Sequence, residues 1–232
     1  MMMRLPLIAA LMVSISPAAT RADDPGAKPA APARPEVVAA GEWGSKPKPI
    51  PAARKHTPKF VTIHHAGVTW KAAVTPEAFV RNMQAWGQTD KGWPDLPYHF
   101  LIAPDGRIFE GRPLEYEPES NTKYPLAGNI GVELMGNFEE QRPDPRQVAA
   151  CVKLTAWLCG RYGIDPATVR GHKDAAKGQT SCPGKDFDRY LRDGQLHRWV
   201  RAAVEGKDPA IDLGPPLPGG PTEPIPSGTP KG

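Results

Sequence analysis

Two metal-capable side chains ten positions apart, His172 and Cys182, constrain this chain more than any other feature of it. They bound a loop of small and polar residues running from Arg170-Gly171-His172-Lys173-Asp174 to Thr180-Ser181-Cys182-Pro183-Gly184. Imidazole nitrogen and thiolate sulfur both suit zinc, a borderline-soft ion. A catalytic zinc takes three protein ligands and keeps one position open. The third ligand falls to the pair His64-His65, far earlier in the chain. The fold must therefore bring two distant segments together.

The segment Phe60-Val61-Thr62-Ile63-His64-His65 is β-rich and bounded by Pro58 and Gly67, which predicts a strand. Alternation puts Val61, Ile63 and His65 on one face and Thr62 and His64 on the other. With the apolar face in the core, His64 is the histidine that joins the site. Thr75-Pro76-Glu77 opens a helix with a capping hydroxyl, proline in the first turn and an acid at the positive dipole end. Phe79, Val80, Met83 and Trp86 then recur at helical spacing and are expected in the core. Pro104-Asp105-Gly106 between Tyr98–Ala103 and Arg107–Glu110 predicts a hairpin. Residues 113–129 are turn-rich and yield no element.

Ile130-Gly131-Val132-Glu133-Leu134-Met135 is a further strand, with Ile130, Val132 and Leu134 on one face and Glu133 on the other. A charge inside an apolar strand is expensive unless paired or used. Glu133 is therefore a functional candidate, with an ion-paired edge residue as the competing reading. Asp144-Pro145 starts a long helix that ends at Gly163. Short helices are expected over Asp186–Arg192 and Leu196–Val204. Strands alternating with helices, plus a hairpin, define an α/β fold: a central mixed β-sheet flanked by helices.

Residues 1–22 have a short basic start ending at Arg4, an apolar run from Leu5 to Ala19 and small residues before Asp23, the form of a cleaved secretory signal peptide. That run is short of the ~20 apolar residues a transmembrane anchor needs. Export implies a periplasmic or secreted protein. Removing Arg4 and Arg21 takes the 29 basic residues to 27 against 25 acidic, a formal +2. So small a charge, without any Lys/Arg block, gives no reason to expect nucleic acid as a partner. Residues 23–41 are Pro/Ala-rich and 207–232 Pro/Gly-rich, and both are expected to be flexible. Residues 42–206 then form a single domain, expected to act as a monomer. Cys151 and Cys159 share one helix, where eight residues rise ~12 Å, too far for a disulfide. They are expected to be small buried hydrophobes.

Several stretches in order resemble one family: Glu42-Trp43-Gly44, Val61-Thr62-Ile63-His64-His65, and Gly92-Trp93 through Tyr98-His99-Phe100-Leu101-Ile102 to Phe109-Glu110-Gly111-Arg112. Asn129-Ile130-Gly131-Val132-Glu133-Leu134 and Gly171-His172 with Cys182-Pro183-Gly184 complete the set. The chain resembles the zinc-dependent N-acetylmuramoyl-L-alanine amidases, which include phage lysozyme amidases and animal peptidoglycan-recognition proteins. The resemblance implies a single amidase domain with a mixed sheet and helices against it. It implies zinc ligands at His64, His172 and Cys182. It places Tyr98 beside the metal, matches Thr180 to a position held by Thr or Lys, and matches Glu133 to a catalytic glutamate of the bacterial branch. Related proteins often carry another histidine in the loop before Asn129; here that loop offers Asn121, Lys123 and Tyr124 instead.

What the resemblance implies chemically is hydrolysis of the amide between the lactyl group of N-acetylmuramic acid and L-alanine, in peptidoglycan or a muropeptide. Glu133 would move the proton, while Tyr98 and Thr180 would donate hydrogen bonds. His65, His99 and Asp174 are candidates to orient the ligands. His56 and His197 are expected at the surface. The alternative is a peptidoglycan-binding module without catalysis; members that only bind lack part of the metal triad.

Overall fold

The computed structural model describes residues 32–227. The expected leader at 1–22, the start of the Pro/Ala-rich stretch and the last five residues lie outside the described residues. Five strands form one sheet in the order β3-β2-β4-β1-β5. In chain order these are β1 (Phe60–His65), β2 (Phe100–Ile102), β3 (Ile108–Glu110), β4 (Asn129–Leu134) and β5 (Arg170–Gly171). All neighbours run parallel except β2 and β3, which form the expected hairpin. The helices are α1 (Pro76–Asp90), α2 (Pro145–Tyr162), α3 (His172–Ala175), α4 (Lys185–Arg192) and α5 (Gln195–Val204).

Local chemistry sets the helix ends where the sequence put them. Thr75 caps α1 by accepting from the Ala78 N–H at 3.3 Å, with Pro76 in the first turn. Asp144 accepts from the Arg146 N–H at 2.8 Å, and Gly163, at φ 65°, ends α2 in the left-handed conformation that a side chain disfavours. Cys151 and Cys159 are buried in α2 as free thiols, and burial pushes both up to about 12. They are inert packing groups.

The two sheet faces do different jobs. Phe100 and Val132 are register partners, and the Phe100 ring meets Trp157 of α2 edge-on, so α2 covers that face together with Ile63, the partner of Val132. The opposite face carries Leu101, Glu133 and His64, which are also in register. Every residue of β4 and all but the first of β1 are buried. A parallel sheet is covered on both sides, and here Glu133 and His64 are buried although they lie on the polar face.

The described parts of both flanks make defined contacts with the domain. Val38 forms a parallel bridge with Phe109, donating to the Ile108 carbonyl at 2.8 Å and accepting from the Glu110 N–H at 3.0 Å. This covers the outer edge of β3, which would otherwise expose unpaired backbone groups. Beyond α5, Ile225 is 2 % exposed and packs so closely on Gly136 that a Cβ there would lie 2.6 Å from its Cδ1. Arg142, Arg189 and the Tyr190 hydroxyl all donate to the Leu213 carbonyl. A few apolar anchors spaced along proline-rich chain are enough to dock it, although they show no periodicity. Among the described residues no helix is long and apolar enough to cross a membrane.

Candidate metal centre and cleft

Parallel pairing aligns His64 of β1 with Glu133 of β4, so their side chains leave the same face of the two central strands. Two residues before Glu133 on that face stands Gly131, where a Cβ would lie 3.2 Å from the Tyr98 ring. The missing side chain admits Tyr98, whose ring centroid is 4.8 Å from that of His64. His172 begins α3, directly after β5 has paired with β1. The Gly171 N–H donates to Asp174 Oδ2 at 3.0 Å, so Asp174 fixes the turn that carries His172.

The following loop folds back over this turn. Lys173 N–H donates to the Cys182 carbonyl at 2.8 Å, and Cys182 N–H to Thr180 Oγ1 at 3.1 Å. A Cβ on Gly171 would sit 2.8 Å from Pro183 Cδ, and one on Gly184 (φ 86°) only 2.6 Å from the Phe138 backbone. These two glycines are what let the loop close. Cys182 Sγ then accepts from the His65 N–H at 3.3 Å and lies 3.8 Å from His64 Nδ1.

One donor atom each from His64, His172 and Cys182 lies within 4.8 Å of the others, and all three residues are buried. Tetrahedral zinc, with bonds of ~2.3 Å to sulfur and ~2.0 Å to nitrogen, sets its donors about 3.6 Å apart. The observed 3.8 Å between Sγ and Nδ1 fits that edge. Burial holds His64 well below the usual imidazole range and brings His172 to about 4, so both rings are neutral at physiological pH, as a ligand must be. Burial pushes the Cys182 thiol up to about 12, with the Glu133 carboxylate adding to the effect. A divalent cation at this point is the group that makes such a sulfur anionic. The donor set fits zinc.

Glu133 is 0 % exposed and neither carboxylate oxygen has a hydrogen-bond partner among the described residues. The competing reading, an ion-paired edge residue, does not survive: β4 lies between β2 and β1, inside the sheet. Burial raises the Glu133 carboxyl to about 8, the range in which a group both takes and gives a proton near neutrality. The Tyr98 hydroxyl is driven well above 10, first by burial and then by Glu133 and Cys182 nearby, so it stays a donor. Thr180 is half-buried on the cleft wall and uses a lone pair on Cys182 N–H, leaving its own proton to donate.

The cleft over these groups measures about 410 Å³. Trp86 and Trp93 meet edge-on at 5.6 Å between centroids on one wall, and Ser120 and Thr122 stand on another. Trp86 corrects the expectation that the α1 stripe is all core: Val80 is buried, but Trp86 is 40 % exposed. The loop 113–129 supplies groups the sequence reading missed, since Thr122 Oγ1 lies 2.6 Å from His172 Nε2. Size alone does not locate the site. A cavity of about 510 Å³ beside Trp157 and Tyr162 holds none of the three metal donors.

The remaining histidines act in the scaffold. His65 Nδ1 accepts from the Phe138 N–H at 3.1 Å beside the cysteine loop. His99, a candidate to orient the ligands, instead accepts from the Gly131 N–H at 2.9 Å and donates to the Tyr116 carbonyl at 2.9 Å, tying β4 to the loop that precedes it. His56 and His197 are half-buried rather than free at the surface. His56 accepts from the Gly128 N–H at 2.8 Å, and His197 bonds the Val169 carbonyl at 2.8 Å.

The family described as N-acetylmuramoyl-L-alanine amidase matches residues 54–185, and the chain belongs to it. Peptidoglycan recognition protein 1 of Mus musculus is 27% identical over 164 residues, covering 70% of this chain and 89% of the relative. The structure of the N-acetylmuramoyl-L-alanine amidase LysC from Clostridium intestinale is similar with a TM-score of 0.56 at 26% identity, over 70% of this chain and 97% of that one. A Drosophila PGRP-LB variant in complex with tracheal cytotoxin matches at TM-score 0.54 and 27% identity, over 64% of this chain and 88% of that one.

Proposed function

We propose that this chain is a zinc-dependent N-acetylmuramoyl-L-alanine amidase, hydrolysing the amide between the lactyl group of N-acetylmuramic acid and L-alanine. The observation that carries the reading is a complete His64/His172/Cys182 donor set facing a cleft beside a buried, unpaired Glu133. A module that only binds its ligand has no use for a carboxyl held at such cost. The names of the relatives, amidases and peptidoglycan recognition proteins, support peptidoglycan or a muropeptide as substrate.

His64, His172 and Cys182 would hold the ion. Zinc in a site of this kind supplies Lewis acidity, polarising a carbonyl and acidifying water to a pKa of about 7. Glu133, in the ionised form that a cation in the site favours, would take a proton from the attacking water and deliver it to the leaving L-alanine nitrogen. Tyr98 donates to the carbonyl oxygen as negative charge develops on it, and Thr180 adds a second donor while fixing the Cys182 backbone. Burial of Glu133, His64 and Cys182 limits their contact with bulk water and strengthens each interaction. Residues 42–206 would be the catalytic unit, exported to the periplasm or beyond by residues 1–22 and acting as a monomer.

The test is a peptidoglycan digest with zinc-loaded and chelator-treated protein, reading new amino groups. Release that disappears with the metal, returns with added zinc and is absent in Cys182→Ser supports the reading. Binding to peptidoglycan with no release in either metal state returns the chain to the binding-module reading.

A further inference from the structure

Between Ser120 and Tyr124 the loop before β4 closes over His172 with two hydroxyls. Thr122 Oγ1 lies 2.6 Å and Ser120 Oγ 3.3 Å from His172 Nε2. The two hydroxyls are 2.9 Å apart, and the Thr122 N–H donates to Ser120 Oγ at 3.1 Å. They are held on both sides. Upstream, Glu119 accepts from Arg112 at 3.2 Å and from Arg54 at 3.0 Å, and the Arg112 guanidinium also donates to the Leu96 and Glu117 carbonyls, both at 2.8 Å. Downstream, the Lys123 N–H donates to Gln179 Oε1 at 2.8 Å and Gln179 Nε2 returns a bond to the Lys123 carbonyl at 2.9 Å. The hydroxyl pair is thus locked to the same loop that carries Cys182.

We propose that Thr122, supported by Ser120, is a positioning residue that selects the metal-binding nitrogen of His172: Nε2–H donates to Thr122 Oγ1, leaving the Nδ1 lone pair for the ion. The inference rests on the zinc reading above. A neutral imidazole has one N–H and one lone pair, so engaging Nε2 as donor fixes both the tautomer and the ring angle. Thr122 Oγ1 can accept from His172 and donate its own hydroxyl proton to Ser120 Oγ, 2.9 Å away. The alternative geometry, in which Nε2 takes the ion, would require the 2.6 Å contact to Thr122 to break. The two arrangements predict opposite signs on removing the hydroxyl.

The experiment measures zinc affinity of the full chain by competition with a chelator, for wild type, Thr122→Val and Thr122→Ser. Thr122→Val keeps the shape and is expected to weaken zinc ~10–100-fold, the usual effect of losing such a support. Thr122→Ser restores the wild-type value. Long-range ¹H–¹⁵N spectra of the zinc-loaded wild type are expected to show His172 protonated at Nε2. Unchanged or tighter zinc binding in Thr122→Val overturns the inference, as does equal weakening in Thr122→Ser or a proton on Nδ1. The spectra need no variant, so a misfolded substitution leaves the inference open to refutation. A wild-type chain that binds no zinc at all would instead sink the proposed function.

Discussion

Replacing Glu133 by Gln is expected to make the metal-free fold less sensitive to pH, in one direction and by a calculable amount. The carboxyl is 0 % exposed, unpaired, and raised by burial from 4.5 to about 8. Between those values the unfolded chain has lost the proton and the folded chain still holds it, so stability falls as pH rises through the window. At 1.36 kcal/mol per pH unit, the penalty on the wild type grows from under about 1 kcal/mol at pH 5 to about 3 kcal/mol at pH 7. Gln carries no charge at either pH. Its extra N–H donors add a cost of their own, but one that does not change with pH. The stability of wild type relative to Glu133→Gln should therefore drop by about 2–3 kcal/mol between pH 5 and pH 7, with the other titrating groups cancelling. Urea unfolding in the presence of a chelator at both pH values reads this difference. Parallel profiles for the two proteins would refute the claim that Glu133 is held protonated by burial, and with it the argument for its role in proton transfer.

Other substitutions separate the parts of the account. Cys182→Ser should lower zinc affinity by more than ~100-fold, beyond the loss from an outer support; isothermal titration showing near-normal binding would remove the thiol from the site. Tyr98→Phe keeps the ring against Gly131 and deletes one donor, so kcat is expected to fall ~10²–10³-fold with KM little changed, and a normal kcat would reduce Tyr98 to packing. Ile225→Ala should destabilise the fold by about 2–5 kcal/mol in urea titrations, as expected for a buried aliphatic. No effect there would mean that the C-terminal stretch is a loose appendage after all.

What could be read from sequence divides along a physical line. Thr75, Asp144, Gly163 and Pro104-Asp105-Gly106 act through bonds to residues a few positions away, so their effects are written locally, and each does in the structure what its chemistry predicts. His64 was singled out from its neighbour by alternation, and the parallel register with Glu133 puts the two on one face. The loop at 113–129 has no periodicity because its residues are placed by partners far along the chain: Glu119 by Arg54 and Arg112, Lys123 by Gln179. Trp86 misled for a related reason. Helical spacing places a residue on a face, but the sequence does not tell whether that face ends at core or at cleft, and α1 borders both. The contacts of the flanks are hidden from composition because it averages over residues: Val38 and Ile225 are single anchors in proline-rich surroundings, and each is docked by contacts that no window of sequence contains.

The central claim is that the His64/His172/Cys182 centre works with Glu133 to cut one particular amide. Mass spectrometry of peptidoglycan digested by zinc-loaded protein, with metal-free protein alongside, tests it most directly. The account predicts zinc-dependent release of peptides with a free L-alanine amine, together with glycan strands that keep an intact lactyl group. Peptidoglycan that is bound but recovered uncut, or cut at any other bond, would contradict it.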